Sequence, residues 1–251
     1  MRFGKFIALA TVLVAAFTLG SCSKDDDEEK EEVEVEVVEE INPKYENHEY
    51  VDLGLPSGTL WAACNVGASK PEEYGDYFAW GEIEQKEIYS TLWKNHKWYN
   101  KEEEKMIKYD DTVDNKAELD AEDDAASVNW SSSWRMPSID QIKELLNSDY
   151  TTNELTTRND VYGLKITSKK NGKTLFFPAC GMHSNESLFG EGSGGGYWSR
   201  SLDTDPGENA WAFVMEFPNP DMQADGTYKK EYYRAALRFL GYNVRPVLIQ
   251  K

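Results

Sequence analysis

The side chains of this chain with a capacity for chemistry are few and scattered. Its three histidines, His48, His96 and His183, each lack another histidine three or four residues away, the spacing that aims two imidazoles of one helix or turn at a single metal ion. They read as ordinary surface or loop histidines, and no metal is expected. Cys64 shares strand parity with Leu60, Ala62 and Val66 in LWAACNV, and Cys180 closes the apolar run LFFPAC. Both read as small buried residues, with a disulfide between them left open. The acidic residues between 110 and 124 have the donors for calcium, but a solvated face is the simpler reading. Gly190-Glu191-Gly192-Ser193-Gly194-Gly195-Gly196 has no lysine and no following helix, so it reads as a flexible connector rather than a phosphate loop.

The stretch SWRMPSIDQIKELL, residues 133–146, combines an aromatic, a cation and a proline directly ahead of a short helix. Pro137 fixes the chain and keeps Met136 out of helical geometry, so the helix must start at Ser138. Ser138 and Gln141 fit the Ser-x-x-Gln capping box, and Ile139, Ile142, Leu145 and Leu146 form one apolar stripe. Trp134, Arg135, Pro137 and Ser138 read as structural, and so does Arg245 in the terminal VRPV: two semi-buried arginines tying carboxylates or carbonyls across the fold. No nucleophile and base lie around them, so no catalytic residue and no cofactor is expected.

The elements that must hold these residues are mostly short strands. YVDLGL, TLWAACNVG and DYFAWGE are β-like runs broken by turn residues. Residues 84–118 are polar with scattered aromatics, including Tyr89, Trp93, Trp98, Tyr99 and Tyr109, as in long surface connections with anchoring side chains. Asp120–Trp130 reads as a short helix with acids at its start. GLKITSK and KTLFFPA flank Asn171-Gly172, a two-residue hairpin signal of type I′. YWSRS, AWAFVMEF and YNVRPVLI follow as strands, with Trp211, Phe213, Met215 and Phe217 on one face.

At the other end, Arg2 and Lys5 precede the apolar run Phe6–Leu19, which suits a secretory signal. Leu19-Gly20-Ser21-Cys22 resembles the bacterial lipobox, which makes Cys22 the lipid attachment site, residues 1–21 the signal peptide and 22–43 an acidic tether. Residues 23–40 hold eleven acidic and two basic side chains, half of the formal net charge of −18. Such a segment cannot collapse and acts as a spacer, its Val33-Glu34-Val35-Glu36-Val37 alternation included. Lys24 and the three aspartates after Cys22 resemble the export signal of Bacteroidetes surface lipoproteins, which implies an outer-membrane, lipid-anchored protein facing the cell exterior. Residues 41–251 keep a net charge of −11, a field that repels nucleic acid.

VDLGLPSGTLWAACNVGA, YGDYFAWGE, SWRMPS, FFPACG, GYWSRS and VRPV, in this order, resemble the Fibrobacter succinogenes major paralogous domain family of Bacteroidetes lipoproteins. The resemblance covers residues 44–251 and implies one α+β domain of the C-type lectin-like, sulfatase-modifying-factor-like kind, with short strands, two short helices and long loops. Formylglycine-generating relatives bind copper through paired cysteines near the C-terminus, where this chain reads GYNVR, so their oxidase activity is not carried over. Asn219-Pro220-Asp221 resembles the sugar-holding loop of calcium-dependent lectins but lacks its companion Trp-Asn-Asp strand. The resemblance implies a non-catalytic binding or adhesion module for a glycan or protein ligand, with a structural envelope or fimbria-associated component as the alternative. In such folds the late loops build the ligand surface. Here they offer Trp198, Arg200, Tyr233, Arg234 and Tyr242 as candidate ligand contacts, with Ser199, Asp203, Asp205 and Tyr232 beside them.

Overall fold

Short β-prone runs between turn residues become short strands. The computed structural model describes residues 42–110, 113–203, 209–216 and 233–248. The first part of the chain forms β1 (Lys44–Tyr45), β2 (His48–Asp52), β3 (Leu60–Ala62), β4 (Tyr77–Phe78), β5 (Tyr99–Asn100) and β6 (Lys105–Met106). The middle holds α1 (Ala125–Asn129), β7 (Trp134–Arg135) and α2 (Ile139–Leu145). The remainder is β8 (Thr151–Arg158), β9 (Val161–Ser168), β10 (Thr174–Pro178), β11 (Cys180–Ser184), β12 (Ser187–Glu191), β13 (Gly194–Leu202), β14 (Asn209–Glu216), β15 (Tyr233–Leu237), β16 (Tyr242–Asn243) and β17 (Val247–Leu248). Strands dominate and the two α-helices are short, an α+β composition. Residues 41–251 cluster as one compact unit. The signal-like segment, Cys22 and the acidic tether up to residue 41 lie outside the described residues.

The last described strand pairs with an early one. One sheet runs β1-β2-β3-β17-β7, so the last strand is inserted between an early strand and the one preceding α2. Val247 stands opposite Trp61 on one side and Arg135 on the other, antiparallel to both. A second sheet is the antiparallel meander β8, β9, β10. The largest runs β12-β11-β13-β14-β15, with β16 joining β13 to β4. Trp61, Leu164, Ile166, Phe177, Ile142 and Leu145 bury one core between the first two sheets and α2. Trp80, Tyr109, Trp198, Tyr242 and Val244 build a second beneath the large sheet.

The helix approach behaves as its residue types require. Ser138 is extended, its hydroxyl accepts from the Gln141 N–H at 3.2 Å, and the Gln141 side chain accepts from the Ser138 N–H at 2.9 Å. Ile142 and Leu145 are buried, with Ile139 and Leu146 packed against the same core. Ser138→Ala removes one half of the box and should lower stability by about 1 kcal/mol in urea denaturation; a loss below a few tenths would mean that water replaces the cap at no cost.

Three expectations are corrected. Asp120–Trp130 is not one helix: a 3-10 turn, Ala121–Asp123, ends at extended Asp124, which then caps α1. The Asp124 carboxylate accepts from Ala126 N at 2.9 Å, Ser127 N at 3.1 Å and Met136 N at 3.0 Å, so a break in the helix ties α1 to the end of β7. The hairpin at Asn171-Gly172 forms, but only Gly172 of the two has positive φ (75°), and the loop spans Ser168 to Lys173 instead of being a two-residue type I′ turn. The glycine-rich segment is no loose connector, since it ends β12 and begins β13. A Cβ on Gly196 would lie 2.2 Å from the Tyr242 ring, so Gly196 admits close contact, whereas Gly190 and Gly192 supply the positive φ of the turn between the strands.

Candidate functional site

Where β7, the first turn of α2, the Ser57–Thr59 turn and β13 meet, they leave a cleft of ≈ 270 Å³ lined by Ser57, Gly58, Thr59, Arg135, Gln141, Arg200, Val247 and Leu248. Its construction follows from the fold. Pairing of β17 with β7 sets Arg135 beside Val247. The Pro137 carbonyl accepts from Arg200 N at 2.8 Å, which fixes β13 against the helix approach. The capping box then holds Gln141 so that its Nε2 donates to Thr59 Oγ1 at 3.1 Å.

Both arginines are held on one side and open on the other. Arg200 donates from Nε to Glu118 Oε2 at 3.0 Å, and from Nη1 to the Met136 carbonyl at 2.9 Å and to Gln141 Oε1 at 3.0 Å. Arg135 donates from Nη2 to the Leu119 carbonyl, and its Nε lies 3.5 Å from Asp124 Oδ2. Nη1 of Arg135 and Nη2 of Arg200 have no acceptor among the described residues. Glu144, the other nearby carboxylate, accepts from both the backbone and the hydroxyl of Ser57. The cleft therefore presents spare donors and engaged acceptors.

The sequence-expected ligand contacts do not converge on one surface. Trp198 and Tyr242 are buried, at 0% and 1% exposure, and stack edge-on with ring centroids 4.8 Å apart. Trp198 Nε1 donates to the Phe78 carbonyl and the Tyr242 hydroxyl to Met182 Sδ, so neither ring can be offered to a ligand. This corrects their assignment as ligand contacts. Ser199 is buried too. Tyr233 is half-buried against the first core and Arg234 is exposed on β15, away from the cleft-lining set. Only Arg200 of the five lines the cleft. Asp203 is half-buried, while Asp205, Tyr232 and the Asn219-Pro220-Asp221 turn lie outside the described residues, as do the side chains of Trp211, Phe213 and Met215.

Trp134 is buried, and Arg245 is 1% exposed with its guanidinium hydrogen-bonded to Asn65 Oδ1 and the Phe176 and Ala62 carbonyls. Arg135 both ties elements together and lines the cleft. Ser57, Thr59 and Gln141 were not expected as site residues. Their hydroxyl and amide types are a weak signal, and their meeting depends on the β17 insertion.

The readings of the acidic cluster and of His96 change. The acidic residues at 110–124 are not simply solvated. Asp123 is buried and accepts from Lys97 Nζ at 2.8 Å, from Lys108 and from the Tyr109 hydroxyl at 2.7 Å. The trio Asp120, Glu122 and Asp123 is close enough for a cation, but the Lys108 ammonium already sits among them. Cys64 and Cys180 are free thiols, and burial pushes Cys180 up to about 12.

His96 is a buried residue rather than a surface one. Its Nδ1 accepts from Trp98 N at 3.3 Å, which leaves Nε2 to donate to the Trp80 carbonyl at 3.2 Å, a fit for the neutral ring only. Burial, with Arg238 and Lys86 adding to it, pushes its pKa down to about 3. An unfolded chain protonates this ring near the ordinary value of about 6.5, whereas the folded one resists until about 3. Stability must therefore fall as pH drops from about 6.5 towards 3. His96→Gln should remove the uptake of one proton from that limb of the stability profile, measured as a flatter slope of urea stability against pH; an unchanged slope would show that the ring is accessible to protons in the folded state.

No protein-family model, no curated protein and no solved structure matches this chain.

Proposed function

We propose that this chain is a surface-displayed lipoprotein whose folded part is a non-catalytic binding module, taking a glycan or protein ligand. The observation that carries the reading is the donor-rich cleft. Its lining consists of two guanidiniums, hydroxyls and an amide held by their neighbours, an arrangement suited to orienting a bound polar group. The sequence resemblance to the Fibrobacter succinogenes major paralogous domain family, and through it to C-type lectin-like and sulfatase-modifying-factor-like folds, supports the same reading. So does an α+β body with two short helices. Anchorage rests on the lipobox-like LGSC and the acidic tether.

A glycan array probed with the full chain, paired with crosslinking on intact cells, tests this. A discrete set of glycans bound, together with loss of surface protease sensitivity on Cys22→Ala, is the expected result. A blank array with crosslinks to envelope proteins would replace it with the structural-component reading.

A further inference from the structure

We infer that the cleft between the Ser57–Thr59 turn, β7 and β13 binds a sugar residue carrying a carboxylate, with Arg135 and Arg200 as its anion donors. The inference rests on the binding-module reading above and names the ligand class of that site.

Donor and acceptor accounting leads there. Arginine carries five N–H donors in a planar fork. In Arg200, Nε and Nη1 are engaged and Nη2 is not. In Arg135, Nη2 is engaged, Nε faces Asp124 and Nη1 is not. Gln141 Oε1 already accepts from Ser138 N and from Arg200, which fixes the amide and leaves one Nε2 hydrogen beyond the bond to Thr59. The nearby acceptors are taken: Glu118 by Arg200, and Glu144 by Ser57. A ligand that fills this cleft meets one unengaged nitrogen from each arginine rather than a complete fork, so an anionic acceptor such as a carboxylate is matched by charge and by single charge-assisted hydrogen bonds from Nη1 of Arg135 or Nη2 of Arg200.

The remaining lining selects what carries the carboxylate. The Ser57 hydroxyl is taken up by Glu144, Thr59 N and Thr59 Oγ1, and Thr59 Oγ1 also receives Gln141 Nε2, so the second Nε2 hydrogen of Gln141 is the neutral donor left for a ring hydroxyl, with half-buried Leu248 as a small apolar wall for the C–H face of a ring. A volume of ≈ 270 Å³ lies at the small end of ligand sites, enough for one monosaccharide and too little for a nucleotide. The net charge of −11 on residues 41–251 repels polyanions at long range, so single acidic sugars within a mixed glycan fit better than a uniformly charged polymer.

The test is ligand-observed NMR of the full chain in detergent with glucuronic acid, its methyl ester, glucose and N-acetyl-Ala-Ala as separate probes. Saturation transfer to glucuronic acid, much weaker to the ester and to glucose, is expected. Arg135→Gln and Arg200→Gln should each weaken it at least about tenfold. Because both arginines also join elements of the fold, Gln141→Glu is the second variant. Glutamate preserves the capping box, yet it places a carboxylate against Arg200 that competes with the ligand. It should abolish glucuronic acid binding, while a melting temperature within about 5 °C of wild type shows that losing the Nε2 bond to Thr59 has not unfolded the cleft. Equal transfer to the methyl ester or glucose, transfer to the dipeptide matching that to the sugar acid, full binding by Gln141→Glu, or no transfer to glucuronic acid at about 10 mM would each overturn the assignment. Array binding of neutral glycans alongside such a result would leave the binding-module reading standing and remove only this cleft from it.

Discussion

Arg245→Ala will be among the most destabilising single substitutions in this protein, costing about 3–5 kcal/mol. The guanidinium is buried, and among the described residues no carboxylate forms an ion pair with it. Its Nε donates to Asn65 Oδ1 at 2.8 Å, Nη2 to the Phe176 carbonyl at 3.0 Å and Nη1 to the Ala62 carbonyl at 3.4 Å, and its carbon lies 4.5 Å from the centre of the Phe177 ring. Burial pulls its pKa below the ordinary arginine value, yet an arginine stays charged at any physiological pH. The charge is thus balanced by carbonyl dipoles. These belong to β3, β10 and the side chain of Asn65, three parts of the chain that meet where the C-terminal strand is inserted. Alanine leaves each acceptor dry and unpaired and opens a cavity among Trp61, Phe177 and Tyr197. For a domain of this size, a loss of that order lowers the melting temperature by on the order of 10 °C. Arg245→Met, which refills most of the volume without the donors, should recover only part of it. Thermal melts of the two variants separate the contributions, and a wild-type melting temperature for Arg245→Ala would mean that water enters and solvates the acceptors.

The sequence allowed that arginine to be read as structural but not its partners, and the difference has a physical cause. Local signals are strong where a few neighbouring residues decide the outcome. Ser138 and Gln141 cap α2 because a hydroxyl and an amide three residues apart can reach each other's backbone regardless of the rest of the molecule. Asn171-Gly172 likewise marks a hairpin, although Ser168, whose hydroxyl accepts from Lys170 N and donates to the Leu53 carbonyl, draws the loop into a longer form than the dipeptide implies. Asp124 shows where such reasoning stops. It reads as one acid among several in a helix, but its carboxylate also receives the Met136 N–H from across the chain, and that contact favours an extended residue there.

Trp198 and Tyr242 were misplaced for a related reason. Alternating aromatics distinguish two faces of a strand without saying which face is covered, and here Trp198 on β13 and Tyr242 on the adjacent β16 both face the core built with Trp80, Tyr109 and Met136. The cleft depends on the same kind of long-range information. Arg200 reaches Gln141 and Met136 only because β13 passes the helix approach, and Arg135 faces Val247 only because the chain's end returns to its middle. Periodicity records the faces of elements and is silent on which element lies against them.

A substitution in β13 isolates that tertiary dependence in a single pair. Gly196→Ala adds one methyl group, and its carbon would stand 2.2 Å from both Cδ1 and Cε1 of Tyr242 and 2.8 Å from Cγ. The backbone at Gly196 is not in the left-handed region, so alanine carries no conformational penalty there and the whole effect is steric. The Tyr242 ring cannot swing aside at low cost. It packs edge-on to Trp198, its hydroxyl is bonded to Met182 Sδ, and its strand is pinned between β13 and β4. Relief must come from moving β16 or tilting the ring out of its core, and a clash of this depth is expected to cost about 3 kcal/mol, the upper range for overpacking. Tyr242→Ala alone should cost a similar amount, by emptying the space between Trp198 and Val244. The double variant Gly196→Ala/Tyr242→Ala should then be no less stable than Tyr242→Ala, because the added methyl points into the cavity that the lost ring leaves. The coupling in this double-mutant cycle is thus expected to be about 2–3 kcal/mol and favourable. Urea denaturation of the four proteins measures it directly, and additive losses would show that Gly196 is required for something other than room for the Tyr242 ring.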